Sequence, residues 1–575
     1  MWTANAGFEF DVNDNWRLVG HYQSGETERD ITIYNEVRID RLFLAIDAVR
    51  HPTTGAIVCN VQLTNPTAAQ LQAAVAGQTF AGQQPGRITR ASPVGMDNSI
   101  SACQPLNIFG VGNASQAAID YVQDDRMSHS IVEQDFAELV LDGEVWDGFG
   151  PGAWSMAAGL TWRESAFEQN YETTSGDPLD GPPRNAPTLG IRGIPAGYAD
   201  QSTSMFMFGG VPNISGEYDV WEAFGEVIAP LYDNGTQSLE MTLAARQSDY
   251  SRSGKITSWK SALSLQATES ARFRGTLSHD VREASFSELF DQQGTAGQVN
   301  DPALSGATYQ ITLLQGGNPA LAPEEADTTT VGVVWQPTDN MLEGLQMSLD
   351  WYEIEIEGLV GAPGVQRIVD ECAAGVTAQC QYITRDAGTG RVNVVQNVFQ
   401  NINAAKVSGV DIEVAYTMEP DFFASESESF SVRALTGYLG ENSQTNLGAA
   451  KLELAGGPGR PQWTSTITGT YNLGNWNAML RASYFDEVLV NAMWIEGIDV
   501  DDNVTASNTV INAGLGYGAD TSNGGNWRVN FNVINLFDRE PPVIASFNSR
   551  FGTQTVSNDY DVFGRRYQLS FNYDF

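Results

Sequence analysis

Apolar and polar side chains alternate along most of this chain with a period of two. At the carboxyl terminus Tyr567, Leu569, Phe571, Tyr573 and Phe575 alternate with Gln568, Ser570, Asn572 and Asp574. Near the amino terminus Trp2, Ala4, Ala6, Phe8 and Phe10 alternate with Asn5, Gly7 and Glu9. The pattern returns at Leu239–Ala245, Trp259–Leu265, Phe273–Val281, Trp476–Tyr484, Ile511–Tyr517 and Trp527–Val533. Such a period puts one set of side chains on each face of a β-strand. The second face carries Arg246, Arg272, Arg274, Asp280 and Arg282. That is too polar for a dry sandwich core and suits a water-filled or plugged lumen. The final segment is also as long as a tilted strand crossing a bilayer. Helical periodicity is nearly absent, its best stretch being the Ala- and Gln-rich run near 66–76. The pattern predicts an all-β chain of about 17 antiparallel strands.

The connections between these strands are unequal, and they alternate. Short turns follow the odd strands, at 12–15, 142–148, 232–235, 268–271, 336–340, 472–475 and 520–526, with one longer member at 417–428. Long connections follow the even strands, at 40–128, 165–215, 283–325, 359–394, 441–460, 490–503 and 538–560. One member of that second set, DYSRSGK at 249–255, is short. Outer-membrane barrels have short periplasmic turns and long outer loops, whereas a soluble sandwich has no reason to alternate this way. The odd strand count conflicts with the even counts of bacterial barrels. The expectation is therefore that the first strands of the barrel are missing from the chain.

Composition narrows the functional classes. Of 575 residues, 70 are acidic and 31 basic, so the net charge of −39 opposes a nucleic-acid partner. No apolar run is long enough for a transmembrane helix. The mean hydropathy of −0.24 fits a barrel whose strands turn one face to a polar lumen. The start, MWTANAGFEFDV, has no basic segment followed by an apolar one, so no signal peptide is expected in it. A GxSxG elbow, an HExxH zinc motif and a Gly-rich phosphate loop are all absent from the sequence. The carboxylate pair Glu353 and Glu355 shares a strand face and is expected to be solvated rather than catalytic. No enzyme activity and no cofactor are expected. Trp2, Trp16, Trp146, Trp162, Trp335, Trp476 and Trp527 fall near strand ends, as in an interfacial girdle.

The four cysteines, Cys59, Cys103, Cys372 and Cys380, all fall in long connections. An even number in an oxidising compartment points to disulfides. Cys372 with Cys380 closes a small loop, and Cys59 with Cys103 follows by elimination. His21, His51, His129 and His279 are scattered and flank neither pair, which argues against a zinc site.

Several stretches, in order, resemble TonB-dependent outer-membrane receptors, the plugged 22-stranded transporters. They are CQPLNIFG (103–110), GPGAWSMAAGLTWRES (150–165), VREASFSELF (281–290), GGNPALAPEEADTTTVGVVWQP (316–337), VSGVDIEVAYT (407–417), VINLFDREPP (533–542) and FGRRYQLSFNYDF (563–575). The family more often has Pro where Ala284 stands. The resemblance spans essentially the whole chain. It implies an antiparallel transmembrane β-barrel domain over 1–575, about 17 strands of a 22-stranded barrel. The signal peptide, TonB box, plug domain and first strands of the family are not visible in the sequence.

By resemblance, the intact protein resides in the outer membrane of a Gram-negative bacterium. It imports a large or scarce ligand, such as a siderophore, cobalamin, saccharide or peptide, energised by TonB through the plug. The implied partners are outer-membrane lipid, the TonB complex through the missing plug, the barrel-assembly machinery and an unidentified extracellular ligand. Tyr567, Leu569, Phe571, Tyr573 and Phe575 look like the family's assembly signal. Tyr121, Asp124, Asp125, Tyr309, Trp494 and Glu496 are candidate ligand contacts in the outer loops. Acidic loops lean towards neutral or cationic cargo, or Ca²⁺ at carboxylate clusters, although no regular Ca²⁺ loop is present. The rival readings are a plug-free passive barrel, a non-functional receptor fragment that misassembles alone, and a soluble β-rich enzyme.

Overall fold

A computed structural model describes residues 1–64, 101–146, 150–173, 214–338, 342–386, 388–423, 427–445, 451–491, 494–521, 524–542 and 560–574. Seventeen long strands form one antiparallel sheet. They are β1 (Trp2–Asn13), β2 (Trp16–Val37), β3 (Gln123–Trp146), β4 (Trp154–Thr173), β5 (Ile214–Asp233) and β6 (Ser238–Tyr250). Next come β7 (Gly254–Thr268), β8 (Ala271–Arg282), β9 (Glu324–Trp335), β10 (Leu345–Gly361), β11 (Gln400–Met418) and β12 (Glu428–Thr445). The last are β13 (Trp463–Leu473), β14 (Trp476–Phe485), β15 (Asn508–Asp520), β16 (Asn526–Ile534) and β17 (Arg566–Asp574). Each pairs with the next in chain order, so the sheet is an uninterrupted meander. A two-residue strand, Leu452–Glu453, adds to β12. Among the described residues, no pairing joins β1 to β17.

The period of two sorts the faces as expected. One register row crosses six strands as Leu239, Leu265, Phe273, Val333, Leu349 and Ile412, all apolar. Phe273 on that row is 49% exposed and Leu277 on the same strand 52%. In water such a belt would oppose folding, whereas against lipid tails it is at no disadvantage. The ladder itself pairs the backbone polar groups, which lipid requires. The neighbouring row on the opposite face reads Ser264, Arg274, Gly332, Asp350 and Asp411.

The connections divide as the alternation predicted. All turns after odd strands are short, while those after even strands are long except Ser251–Ser253. Two boundaries differ from expectation. The turn expected at 142–148 comes later, because Gly143 and Glu144 still pair with Met156 and Ser155 of β4. The long connections expected from 40 to 128 and from 165 begin or end inside strands, because β2, β3 and β4 run on for 22, 24 and 20 residues. A membrane crossing needs only about 9–11, so these strands rise well beyond the lipid. The Ala- and Gln-rich stretch at 66–76 lies outside the described residues, as does Phe575.

The sheet has no dry interior. The buried apolar clusters sit in the outer connections instead. One gathers Leu44, Val61, Tyr121 and Val122 around Cys59 and Cys103. A larger one joins two separate connections. Strands Gln292–Asp301 and Ala307–Gly316, from the segment after β8, form a hairpin. The hairpin then pairs in parallel with Val392–Val398, from the segment after β10, and Ile383–Arg385 completes a four-stranded sheet. The helix Val365–Ala373 covers it, burying Ile368 and Val369 against Val299, Tyr309, Ile311, Val392 and Val395. We call this unit the cap.

Candidate lumen and outer-loop site

The two motif stretches 281–290 and 316–337 meet at the outer rim. Arg282, the last residue of β8, donates Nε to Glu324 at 2.6 Å and its two terminal nitrogens to Glu288 at 3.0 and 3.1 Å. Ser285 caps the helix Phe286–Phe290, and Glu288 closes the reciprocal capping box. Beneath lie Ala284, Leu289 and Leu321, with Phe290, Val360 and Phe399 packed around them. Asn318 donates to the carbonyl of Phe399, and Asn401 to those of Ala322 and Gly358. The motifs thus tie the ends of β8, β9, β10 and β11 together.

The helix Phe286–Phe290 also explains the one short outer connection. Strands β6 and β7 stop low, leaving a notch in the rim. The chain after β8 crosses back over it, setting Phe286 5.8 Å from Phe167 of β4 and 5.2 Å from Tyr218 of β5, between ring centroids. Arg252, in the short turn, lies 4.8 Å over the Phe290 ring. Glu283 accepts from Ser253 at 3.0 Å, and burial pushes its carboxyl above the usual range. A cavity of about 510 Å³ opens beside this helix, lined by Phe167, Gly216, Phe290, Arg252 and three carboxylates, Glu133, Glu168 and Glu217.

The inner face of the wall is cross-linked by ion pairs over β1–β12. Arg17 meets Glu9 at 3.0 Å and Asp142 at 3.2 Å. Arg246 meets Glu222 at 3.1 Å, and Arg433 meets Glu413 at 2.7 Å. Arg274 forks onto both oxygens of Asp350 at 2.8 and 2.7 Å, reaching across the intervening strand β9. Gly332 makes that reach possible, since a Cβ there would sit 1.8 Å from the Asp350 oxygen. Over β12–β17 one inward row is uncharged, Ser429, Asn472, Asn477, Gly516, Asn530 and Ser570, whereas the row through Arg433 continues to Thr468 and Arg481.

The candidate ligand contacts fall in two groups. Tyr309 is 7% exposed inside the cap, where its hydroxyl donates to Asp301 at 2.6 Å and accepts from the Val392 amide at 2.8 Å. Arg391 lies 4.0 Å over its ring. Tyr121 is buried in the cluster around Cys59 and Cys103, with Arg41 over its ring. Asp124 is buried against Arg38 at 3.2 Å and Arg41 at 3.6 Å. Packing and ion pairing therefore occupy these three. Asp125 accepts from the Asn35 amide. Trp494 is half-buried and Glu496 exposed in the connection between β14 and β15. Arg41 joins Tyr121 to Asp124, whereas Tyr309 lies apart from them in the cap. A signal for Tyr309 was present: Tyr309, Ile311 and Leu313 alternate, marking a strand inside a loop.

Cys59 pairs with Cys103 and Cys372 with Cys380, leaving no free thiol. Glu353 and Glu355 do share a face, held by Lys406 at 3.0 and 2.5 Å. Tyr567, Leu569, Phe571 and Tyr573 lie along the apolar face of β17, 38–72% exposed. Among the described residues, no group of three or more His, Cys, Asp or Glu side chains is arranged to hold a metal ion.

The family model described as TonB dependent receptor-like, beta-barrel matches residues 1–536. No curated protein sequence matches the chain. Among solved structures, the siderophore receptor PirA from Acinetobacter baumannii is similar, at 14% identity and a TM-score of 0.52. The alignment covers 100% of this chain and 62% of that receptor. The ferric-catecholate import receptor Fiu from K12 E. coli aligns at 13% identity and a TM-score of 0.47, covering 94% of this chain and 60% of Fiu. A mutant of the ferric enterobactin receptor PfeA from Pseudomonas aeruginosa aligns at 10% identity and 0.46, covering 100% and 69%. The chain thus spans about three fifths of the length of PirA and Fiu.

Proposed function

The chain belongs to the TonB-dependent receptor β-barrel family, and from that premise we propose that it is the wall and outer-loop part of an energised uptake receptor. The family is one of Gram-negative outer-membrane barrels, not of enzymes. In this reading about five further strands close the barrel, and a plug fills the lumen and carries the contact with TonB. The cargo is a large or scarce molecule: a siderophore, a cobalamin, a saccharide or a peptide. The observation that carries the reading is the meander of 17 strands with an apolar outer face, a polar inner face and outer connections folded into braced units. Porins let small solutes diffuse, and the outer membrane holds no ATP, so concentrating such a cargo needs energy from the inner membrane.

Of the candidate contacts, Asp125, Trp494 and Glu496 are the ones we assign to cargo recognition. Tyr121, Asp124 and Tyr309 shape the loops that present them. The test is uptake by cells expressing the complete receptor, with an iron-loaded catecholate siderophore, cyanocobalamin and a maltodextrin as probes. Uptake of one probe is expected to stop when TonB is deleted or the proton gradient is collapsed. Uptake that survives both treatments would replace this reading with a plug-free passive barrel.

A further inference from the structure

The outward face of β14–β17 carries an aromatic ladder near its periplasmic end. Trp476 of β14 lies 4.7 Å from Tyr517 of β15, and Tyr517 lies 5.5 Å from Trp527 of β16, between ring centroids. Trp527 in turn stands 6.5 Å from Phe571 of β17. One register row through this ladder reads Glu428, Leu473, Trp476, Tyr517, Val529 and Phe571, from β12 to β17. Trp476 is 49% and Phe571 65% exposed, so the row faces lipid. Glu428 is a carboxylate in this apolar and aromatic row, yet it is only 3% exposed.

A carboxylate held against lipid is costly unless hydrogen bonds fill its lone pairs. Two donors fill them. The Tyr471 hydroxyl of β13 donates to Oε1 of Glu428, and the backbone N–H of Phe423 donates to Oε2 at 3.1 Å. Tyr471 lies two residues from Leu473, on the same face, opposite Phe430. The Phe423 amide belongs to the connection 419–427 between β11 and β12. Its bond to Glu428 therefore brings that turn across the outward side of the wall, instead of leaving it to hang straight into the periplasm. Within the turn Pro420 is buried, whereas Phe422 and Phe423 are 71% and 66% exposed. The neighbouring turns at 474–475 and 521–525, Gly-Asn and Thr-Ser-Asn-Gly-Gly, offer no apolar side chain. Two adjacent phenylalanines left in water carry a cost that lipid removes. They also continue the face on which the ladder already meets lipid.

We propose that the turn 419–427 is a membrane anchor, with Phe422 and Phe423 seated among the phospholipid headgroups of the periplasmic leaflet. Glu428 is the latch that turns the chain towards lipid, and the exposed Glu419 and Asp421 keep the rest of the turn in water. An anchor of this kind rides about 5–10 Å into the headgroup boundary. It fixes the depth of β11, whose outer end supports the cap. The proposal rests on the reading of this chain as a membrane-spanning wall.

Photo-crosslinking in cells expressing the complete receptor tests this. The photoreactive residue p-benzoylphenylalanine replaces Phe422 or Phe423. For comparison it replaces Thr236, exposed in the turn between β5 and β6, and Leu480, 58% exposed on the outward face of β14. Mass spectrometry of the purified receptor separates phospholipid adducts from protein adducts. Positions 422 and 423 are expected to give phospholipid adducts severalfold more often than 236, approaching 480. Adding Glu428→Ala frees the Phe423 amide, and adducts at 422 are then expected to fall to the level at 236. The comparison of 422 with 236 in the otherwise native background covers the case that this variant does not fold. Adducts at 422 and 423 as rare as at 236, or formed mainly with a periplasmic protein, would overturn the proposal. A lack of phospholipid adducts at 480 would overturn the membrane-wall reading itself, so the two failures are distinguishable.

Discussion

Leu277 on β8 and Ile368 in the cap are both aliphatic, yet one is 52% exposed and the other 0%. The wall turns its apolar side chains out to lipid and its charges in. The cap, a few residues above the same strands, does the reverse, with Asp301 as its one fully buried acid. The difference teaches that the chain folds in two solvents. Stability of the wall comes from its continuous backbone ladder and from lipid. Stability of the cap comes from water expelled from a small core. A substitution therefore changes sign in effect when moved from one region to the other.

The largest effect expected from breaking this contrast is in the cap. Ile368→Ala empties a sealed site and should lower the stability of the cap by about 2–5 kcal/mol. Hydrogen exchange of the Val392–Val398 amides would accelerate accordingly, while the β13–β16 amides stay protected. If both regions loosen together, the cap is not a separate unit. Next comes the wall: Leu277→Arg should cost about 2–4 kcal/mol if that position lies near the bilayer midplane. Denaturant titration in lipid vesicles measures it, and an unchanged midpoint would place Leu277 outside the lipid.

Third is the buried ion pair. Arg385 holds Asp301 at 2.6 and 3.0 Å. Arg385→Met should cost about 1.5–3 kcal/mol. The Arg385 guanidinium, followed by the Tyr309 hydroxyl, keeps the Asp301 carboxyl below its ordinary range. A depressed acid contributes stability above its unfolded pKa of about 3.9 and loses it as pH falls through the lower folded value. The cap of the native protein is thus expected to soften only in acid, below about pH 4, and the variant to lose that pH step. Hydrogen exchange of the cap across pH 3–6, corrected for intrinsic rates, reads both. The smallest effect is at the notch. Glu283, whose carboxyl burial raises, bears a disfavoured charge at neutral pH. Glu283→Gln should stabilise the rim by at most about 0.5 kcal/mol, and the gain should vanish as pH drops through the raised pKa. Melting curves at pH 7 and pH 4 compare the two.

Alternation made the wall legible because a strand facing two media writes its register into the sequence. Row by row, Phe273 and Leu265 sit where period two places them. The cap was not legible as a unit, because its central pairing joins Thr312 to Val394, partners that no local pattern connects. In the sequence Tyr309 reads as a loop aromatic and a candidate ligand contact. Its burial depends on Val392, Ile368 and Arg391, all brought from the far side of two wall strands. The inner-wall charges were legible as residues, but their pairing was not. The Arg274–Asp350 bridge needs Gly332 between them, and only the register of three strands shows that.

The parallel pairing of Ala307–Gly316 with Val392–Val398 has a mechanical consequence. The cap stands on four adjacent legs, the outer ends of β8, β9, β10 and β11, and the motif residues around Arg282 brace those legs to one another. Two loops that would otherwise flap independently become one table. Its halves cannot part without breaking a sheet. Whatever approaches the mouth of this channel on that side meets a single plate rather than a pair of tentacles.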